Sequence, residues 1–234
     1  MFRTKNNITV GLALIALLTA TVAFARNENM NPLTGRIGVD PGDESAESVK
    51  LRSGPGNPAA GKDKSQLCQG CHGEFGNSTE PLVPKLAGQY GKYIAKELRN
   101  YQAGVRTHQI MNAMAGTIND DDLADIAAYF ASQPKMKGSG AKNNEVGKNL
   151  FIKGDISRKM VACINCHGVT GKGLTPNTSM FPVLGGQQKE YLRKQLMNFK
   201  DVDRTNSPNG IMNKITNKLT DPEIDALAEY LSEQ

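Results

Sequence analysis

The hydrophobic and polar positions divide the chain into three regions. Residues 8–24 form an almost continuous apolar run, whereas residues 26–58 are rich in Pro, Gly, Asn and Ser and have no sustained apolar period. Such a composition predicts a flexible leader. From residue 59 onward, apolar residues recur every three or four positions, which is typical of a buried helix face, and no segment predicts a convincing pair of strands. The pattern therefore predicts an all-α fold behind an N-terminal leader.

Three helices are predicted in the first periodic stretch. A short polar helix ends near Cys71 and His72, and a second helix runs from about Gln89 to Gln102. Asn119 is placed to cap a third helix, which has an acidic first turn and ends before Pro134. The residues predicted to form the buried faces of the second and third helices are Ile94, Leu98 and Tyr101, and Leu123, Ile126, Ala127 and Phe130.

An internal repeat indicates that the chain contains this unit twice. The segment 84–89 returns 98 residues later as segment 182–187, and the third helix returns behind a capping box, Thr220-Asp221-Pro222-Glu223. The sequence therefore predicts two similar domains in tandem. Their predicted bounds are 59–134 and 145–234, with a linker at 135–144.

The N-terminus has the features of a secretory signal. Arg3 and Lys5 precede the apolar run, and Ala23-Phe24-Ala25 offers small residues for cleavage, so residues 1–25 are predicted to be a signal peptide. The alternative is an uncleaved anchor, because the apolar run is just long enough to span a bilayer. Either outcome places the rest of the chain in the periplasm, and an anchor would hold it at the inner membrane.

Composition narrows the function classes. A hydrophobic content of 38% excludes a polytopic membrane protein. The net charge of +5 falls by two when residues 1–25 are removed, which is too weak a basic balance for a protein that binds nucleic acid. Aromatic residues make up only 6% of the chain, and a domain of about 75 residues buries little apolar surface by itself. Some further group is expected to fill each interior.

The cysteines and histidines indicate what that group is. All four cysteines lie in two copies of the pattern Cys-x-x-Cys-His. This is the attachment pattern of c-type haem, in which both thiols form thioethers with the vinyl groups and the adjacent imidazole binds the iron. The sequence therefore predicts two covalently bound haem c groups. The residues predicted to hold them are Cys68, Cys71 and His72, and Cys163, Cys166 and His167.

Three other interpretations of the cysteines compete with haem attachment. Structural disulfides suit an exported protein but give no reason for the histidines. A zinc site would lack a fourth ligand in each copy. A thioredoxin-like dithiol expects a preceding strand, whereas residues 59–69 are predicted to be helical. The repeated pattern favours haem over all three.

A methionine in each half would complete the iron coordination. Haem iron held by His and Met carries electrons, whereas an open face binds or activates small molecules. Met111 and Met212 correspond to each other in the repeat and precede the capped helix of their domain, so both are predicted to be iron ligands. Met114 is a rival for the first iron, but its counterpart is Ile215. His108 is a second rival and is predicted to be an exposed loop residue.

Two prolines occupy equivalent positions after the haem motifs, Pro84 and Pro182. A backbone carbonyl at each is predicted to orient the iron-binding imidazole through its other ring nitrogen. The alternative is that each proline only shapes a turn.

The region from about Pro58 to Gln234 resembles the dihaem cytochromes c4, which consist of two class I cytochrome c domains in tandem. The resemblance rests on both Cys-x-x-Cys-His-Gly motifs, the two Pro-x-Leu-x-Gly-Gln segments, Arg204-Thr205-Asn206, and Met111 and Met212. It implies that each domain is wrapped around one covalently bound haem, with the two methionines at the ligand positions. The long leader at 26–58 departs from the family.

The resemblance also implies a function. It indicates a periplasmic electron carrier, not an enzyme, that shuttles electrons from a quinol-oxidising complex or a dehydrogenase to a terminal oxidase or another acceptor. One alternative is the dihaem cytochrome subunit of a dehydrogenase of the flavocytochrome c sulfide dehydrogenase type. A second is a dihaem peroxidase, against which the two methionine candidates argue.

Charge is distributed unequally between the predicted domains. Residues 59–134 hold 7 basic and 8 acidic side chains, whereas residues 135–234 hold 15 and 10. This difference predicts a dipolar carrier that presents opposite faces to donor and acceptor. An incidental bias of a solvated surface is the alternative.

Overall fold

The computed structural model describes residues 56–141, 143–174 and 180–234. The predicted signal peptide and nearly all of the predicted leader lie outside these residues. Within them the chain forms helices and loops, without a strand, and one isolated bridge joins Asp155 to Met160. The prediction of an all-α fold is confirmed.

A bilayer crossing requires a long helix of apolar composition. None of the helices in the described ranges meets both conditions.

The helices of the two domains follow one another in the same order. In the first domain they are α1 (Pro58–Lys64), α2 (Gln66–His72), α3 (Gly91–Gln102), α4 (Gln109–Gly116) and α5 (Asp120–Ser132). In the second domain they are α6 (Glu145–Lys153), α7 (Ile164–His167), α8 (Lys189–Lys200), α9 (Ile211–Thr216) and α10 (Asp221–Ser232).

The predicted helix boundaries are largely those of the structure. The first predicted helix is divided at Ser65 into α1 and α2, and α3 begins two residues later than predicted. The Asn119 side chain accepts a hydrogen bond from the Asp122 amide at 2.8 Å, which confirms the predicted cap of α5. Both hydrogen bonds of the predicted capping box at Thr220 are present. The short helices α4 and α9 were not predicted.

A glycine lies at the central helix crossing of each domain. Helix α1 crosses α5, and α6 crosses α10. A β-carbon on Gly61 would lie 2.0 Å from the Asp125 carbonyl oxygen, and one on Gly147 would lie 2.1 Å from the Ala226 carbonyl oxygen. The helix backbones are therefore in direct contact. The buried side chains of the last helices complete the cores, including Leu123, Ile126 and Phe130 in α5 and Ile224, Leu227 and Leu231 in α10.

The two domains meet through glutamines that are related by the repeat. The Gln89 side chain accepts a hydrogen bond from the Val183 amide at 2.8 Å and donates one to the Val183 carbonyl at 2.9 Å. Gln187 makes the same two bonds, at 2.8 and 2.9 Å, with the backbone of Lys85. The contact is therefore reciprocal, as in a two-fold symmetric dimer.

Buried charged groups continue this contact. Arg106 Nη1 donates to Glu97 Oε2 at 2.7 Å, and Arg204 Nη2 lies 3.1 Å from the same oxygen. Each arginine also donates to a tyrosine of the opposite domain, Arg106 to Tyr191 Oη at 3.0 Å and Arg204 to Tyr93 Oη at 3.1 Å. We call this contact the seam. It consists of Lys85, Gln89, Tyr93, Glu97, Arg106, Val183, Gln187, Tyr191, Gln195 and Arg204.

The helix crossings generate a stability prediction. Because its β-carbon would overlap the Asp125 carbonyl, Gly61→Ala should lower the free energy of unfolding of the haem-loaded protein by about 1–3 kcal/mol. Gly147→Ala should do the same in the second domain. Denaturant unfolding measures both changes.

Gly116→Ala is the matched control, since no atom lies within 4 Å of a β-carbon built there. Alanine at this helical position should leave the free energy of unfolding unchanged or raise it by up to about 1 kcal/mol. Equal stability of the Gly61 and Gly116 variants would contradict the direct backbone contact.

Candidate functional site

Both predicted iron-binding histidines end a short helix. His72 is the last residue of α2 and His167 the last of α7, and the glycines that follow have φ angles of 80° at Gly73 and 77° at Gly168. Glycine adopts this backbone conformation without the strain that a side chain would cause. The chain therefore turns away at once, and both imidazoles are buried, with exposed fractions of 8% and 6%.

A backbone carbonyl holds each imidazole. His72 Nδ1 lies 2.8 Å from the Pro84 carbonyl oxygen, and His167 Nδ1 lies 2.9 Å from that of Pro182. These are the contacts that the sequence predicted between the histidines and the two prolines. A carbonyl only accepts hydrogen bonds, so the proton is on Nδ1 and Nε2 keeps a lone pair.

The two rings are suited to bind a metal as neutral imidazoles. Burial lowers the pKa of His72 and of His167, and the proline carbonyls oppose this effect only in part. A neutral ring has a lone pair on Nε2 at physiological pH, which a protonated ring lacks.

None of the four cysteines is in a disulfide. Burial raises the pKa of the Cys68 thiol and raises that of Cys163 to about 11. A redox dithiol needs a cysteine with a lowered pKa, so these surroundings disfavour that interpretation. In the described ranges no three His, Cys, Asp or Glu side chains are grouped so that they could hold a metal ion.

A cavity of about 590 Å³ extends from one domain into the other. Its wall includes all four predicted iron ligands, His72, Met111, His167 and Met212, together with Cys68 and Cys71 but not Cys163 or Cys166. The structure therefore brings the predicted ligands of both halves to one continuous space. Its apolar lining includes Leu98, Ile126 and Phe130 from the first domain and Leu192, Leu196 and Phe199 from the second.

The two methionines lie on the helices that were not predicted, Met111 on α4 and Met212 on α9. The next residue in each case is an asparagine that anchors the helix. The side-chain nitrogen of each asparagine donates to two carbonyls of the preceding long helix and the loop after it. These are Tyr101 (2.6 Å) and Arg106 (3.0 Å) for Asn112, and Phe199 and Arg204 (both 2.7 Å) for Asn213.

The rivals of Met111 are also near the site. Met114 and His108 line the same cavity. His108 is exposed and lies in the loop before α4, as predicted; it also caps α4, since its Nδ1 accepts a hydrogen bond from the Met111 amide at 3.4 Å. The ring replaces the Asn or Ser that usually takes this role at a helix start.

These residues fit a covalently bound haem in each half. The thiols and the free imidazole nitrogens would supply the attachment and ligand atoms, and the apolar lining suits the porphyrin faces. Arg106 and Arg204 also line the cavity, and buried guanidinium groups suit the carboxylate edge of a haem.

Sequence reasoning missed the residues of the seam and the two anchoring asparagines. Periodicity does not single out Gln89, Gln187, Arg106 and Arg204, because they lie in loops, and it does not mark the two asparagines, because their helices were not predicted. The repeat contained the signal, since Gln89 and Gln187, and Arg106 and Arg204, are pairs of identical residues 98 positions apart.

Comparison with known proteins agrees with this geometry. A family model described as "Cytochrome c" matches residues 58–134 and 145–234. "Cytochrome c4" of Pseudomonas aeruginosa is 43% identical over 77% of this chain and 90% of that protein. The "Thiosulfate dehydrogenase electron acceptor" of Thiomonas intermedia is 31% identical over 77% of this chain and 84% of its own length.

A solved structure shares the fold. The reduced recombinant cytochrome c4 from Pseudomonas stutzeri superposes with a TM-score of 0.71, is 37% identical, and covers 76% of this chain and 98% of its own. The chain therefore belongs to the cytochrome c family as a dihaem cytochrome c4, an electron-transfer protein with two tandem domains that each carry one covalently bound haem c.

Proposed function

We propose that this protein is a periplasmic carrier that accepts electrons from a dehydrogenase and passes them to a terminal oxidase or another acceptor. Residues 1–25 direct export, residues 26–58 are a leader, and the domains extend over 59–134 and 145–234 with a linker at 135–144. A quinol-oxidising complex is the other class of donor. The relative that is named an electron acceptor of thiosulfate dehydrogenase supports a dehydrogenase as the donor.

The proposed ligand sets are equivalent in the two domains. Cys68 and Cys71, and Cys163 and Cys166, hold the haem edges, and the iron ligands are His72 with Met111 and His167 with Met212. Haem c supplies one-electron chemistry between ferric and ferrous iron. None of the proposed residues acts as an acid, a base or a nucleophile.

The chain's own contribution is orientation and environment. The proline carbonyls fix each imidazole so that Nε2 remains the ligand atom. The asparagines beside Met111 and Met212 anchor the helices that carry these two methionine side chains. The apolar lining excludes water, and burial with thioether ligation favours the ferrous state and raises the reduction potential.

One observation carries the proposal: the complete arrangement of histidine, carbonyl, methionine and anchoring asparagine occurs twice. A peroxidase requires one iron with an accessible face. Two sites with the same set of residues support electron transfer instead.

The methionine ligands can be tested by substitution. The purified protein should contain two haems per chain and show the near-infrared band of Met bound to ferric haem. Met111→Leu and Met212→Leu should each remove about half of that band and lower the potential of one haem, because Met ligation raises it.

Met114→Leu is the matched control, as Met114 lines the same cavity and should leave the band intact. If the Met114 variant lost the band and the Met111 variant kept it, Met114 would be the iron ligand and Met111 would not. A colourless protein after maturation with the haem-attachment machinery would refute the proposed function.

Positive charge is concentrated where the linker meets the second domain. The Lys172 ammonium donates to the Gly185 carbonyl at 2.8 Å. Burial, and then repulsion from Lys135, Lys85 and Lys137, lowers the pKa of Lys172 to about 8. Lys135, Lys137 and Lys172 belong to the basic half of the proposed dipolar carrier, whereas Lys85 belongs to the first domain.

Electron transfer with an acidic partner should therefore depend on salt. The second-order rate with a purified candidate dehydrogenase should fall about tenfold or more between 0.01 M and 0.15 M ionic strength, as the Debye length shortens from about 30 to about 8 Å. Lys137→Gln should lower the rate at low salt more than Lys148→Gln, since Lys148 is paired with Glu145. A rate that does not change with ionic strength would contradict electrostatic steering of the partner.

A further inference from the structure

The seam holds more positive than negative charge. Arg106 and Arg204 are buried, with exposed fractions of 7% and 6%, and both contact the carboxylate of Glu97. Lys96 lies 2.6 Å from the other oxygen of this carboxylate. Three cationic groups therefore surround one anionic group in this network.

The carboxylate is well held as an anion. Burial alone would raise the pKa of Glu97, but Arg204, Arg106 and Lys96 together lower it to about 2. Asn206 donates a further hydrogen bond to Glu97 Oε2 at 2.8 Å. Glu97 is therefore negatively charged at every pH near neutrality.

The internal repeat is broken at this residue. Arg106 corresponds to Arg204 and Tyr93 to Tyr191, but the counterpart of Glu97 is Gln195. Gln195 occupies the equivalent place in the seam, where its Oε1 accepts from Arg106 at 2.9 Å and from Arg204 at 2.7 Å. The two positions thus make similar hydrogen bonds to the same arginines and differ in charge.

The seam is part of the wall of the cavity that the two domains share. Glu97, Arg106, Arg204 and Gln195 all line it, as do His72 and His167. A charge at this place, shielded from water, acts on both irons more strongly than one in solvent. Because reduction adds an electron, a nearby negative charge disfavours it and a positive charge favours it.

We propose that Glu97 sets the reduction potential of the haems: as the carboxylate of the seam it lowers the potential, and its counterpart Gln195 makes the same arginine contacts without this effect. The inference rests on the proposed function, since it requires a haem in each domain. Glu97 is a positioning residue for the seam arginines and does not itself bind iron.

The test is potentiometric titration of the haem-loaded variants. Glu97→Gln keeps the shape of the side chain and should raise the midpoint potentials, with an increase on the order of tenfold in the equilibrium constant for reduction of the haem nearer the carboxylate, or about 59 mV for one electron. Gln195→Glu should shift the potentials in the opposite direction. Glu97→Asp keeps the charge and should restore most of the wild-type potential.

Glu145→Gln is the matched control, because it removes one negative charge from a side chain that is 63% exposed. It should shift the potentials far less than Glu97→Gln. Equal shifts in these two variants, or no downward shift in Gln195→Glu, would overturn the proposal. If Glu97→Gln fails to fold, the midpoint potentials of Gln195→Glu and Glu97→Asp still test the proposal.

A purely structural role gives a different result. In that case Glu97→Gln would lower the unfolding temperature while both midpoint potentials stay at their wild-type values. The proposed function is judged separately, by two haems per chain and an intact near-infrared methionine band. Those signals in a variant with unchanged potentials would refute the role of Glu97 alone.

Discussion

One six-residue segment in each domain constrains the rest of the structure. The segment 84–89 supplies the carbonyl that holds His72, the backbone that pairs with Gln187, and the glutamine that pairs with Val183. The segment 182–187 does the same in the other direction. The orientation of each proposed iron-binding imidazole and the contact between the domains therefore depend on the same few residues.

The features that the sequence predicted are local ones. The caps at Asn119 and Thr220 bond to residues three positions away, and the buried faces of α3 and α5 follow from helical periodicity. The haem motifs also lie within five residues, so their chemistry could be recognised without the fold. The contact of each histidine with a proline carbonyl was predicted because the repeat placed the prolines at equivalent positions.

The features that were missed depend on distant or unusual partners. Helix α4 is capped by a histidine and α9 follows Gly210, which has a φ of 63°, so neither start has the Ser, Thr, Asp or Asn that marks a helix start in a sequence. The asparagines that anchor these helices bond to backbone carbonyls, which no side-chain pattern reveals. The seam joins residues about 100 positions apart, and its arginines look like ordinary surface residues until the two domains are placed together.

The seam contains both neutral and charged contacts, and the two kinds have different roles. The glutamine pairs fix the register between the domains through hydrogen bonds that bury no charge. The arginines bear the desolvation cost of burial, which Glu97 and the tyrosine hydroxyls offset in part. A buried charged contact is weak evidence for stability. The charged residues of the seam lie on the cavity wall, which indicates that their main effect is on the haem sites.

The reciprocal geometry of the glutamine pairs has a further consequence. Two separate domains that met in this way would form a homodimer, and they would come apart at low concentration. Here a short linker joins the partners, so their association is intramolecular and its effective concentration is set by the length of the linker. The two redox centres therefore remain together at any dilution of the protein.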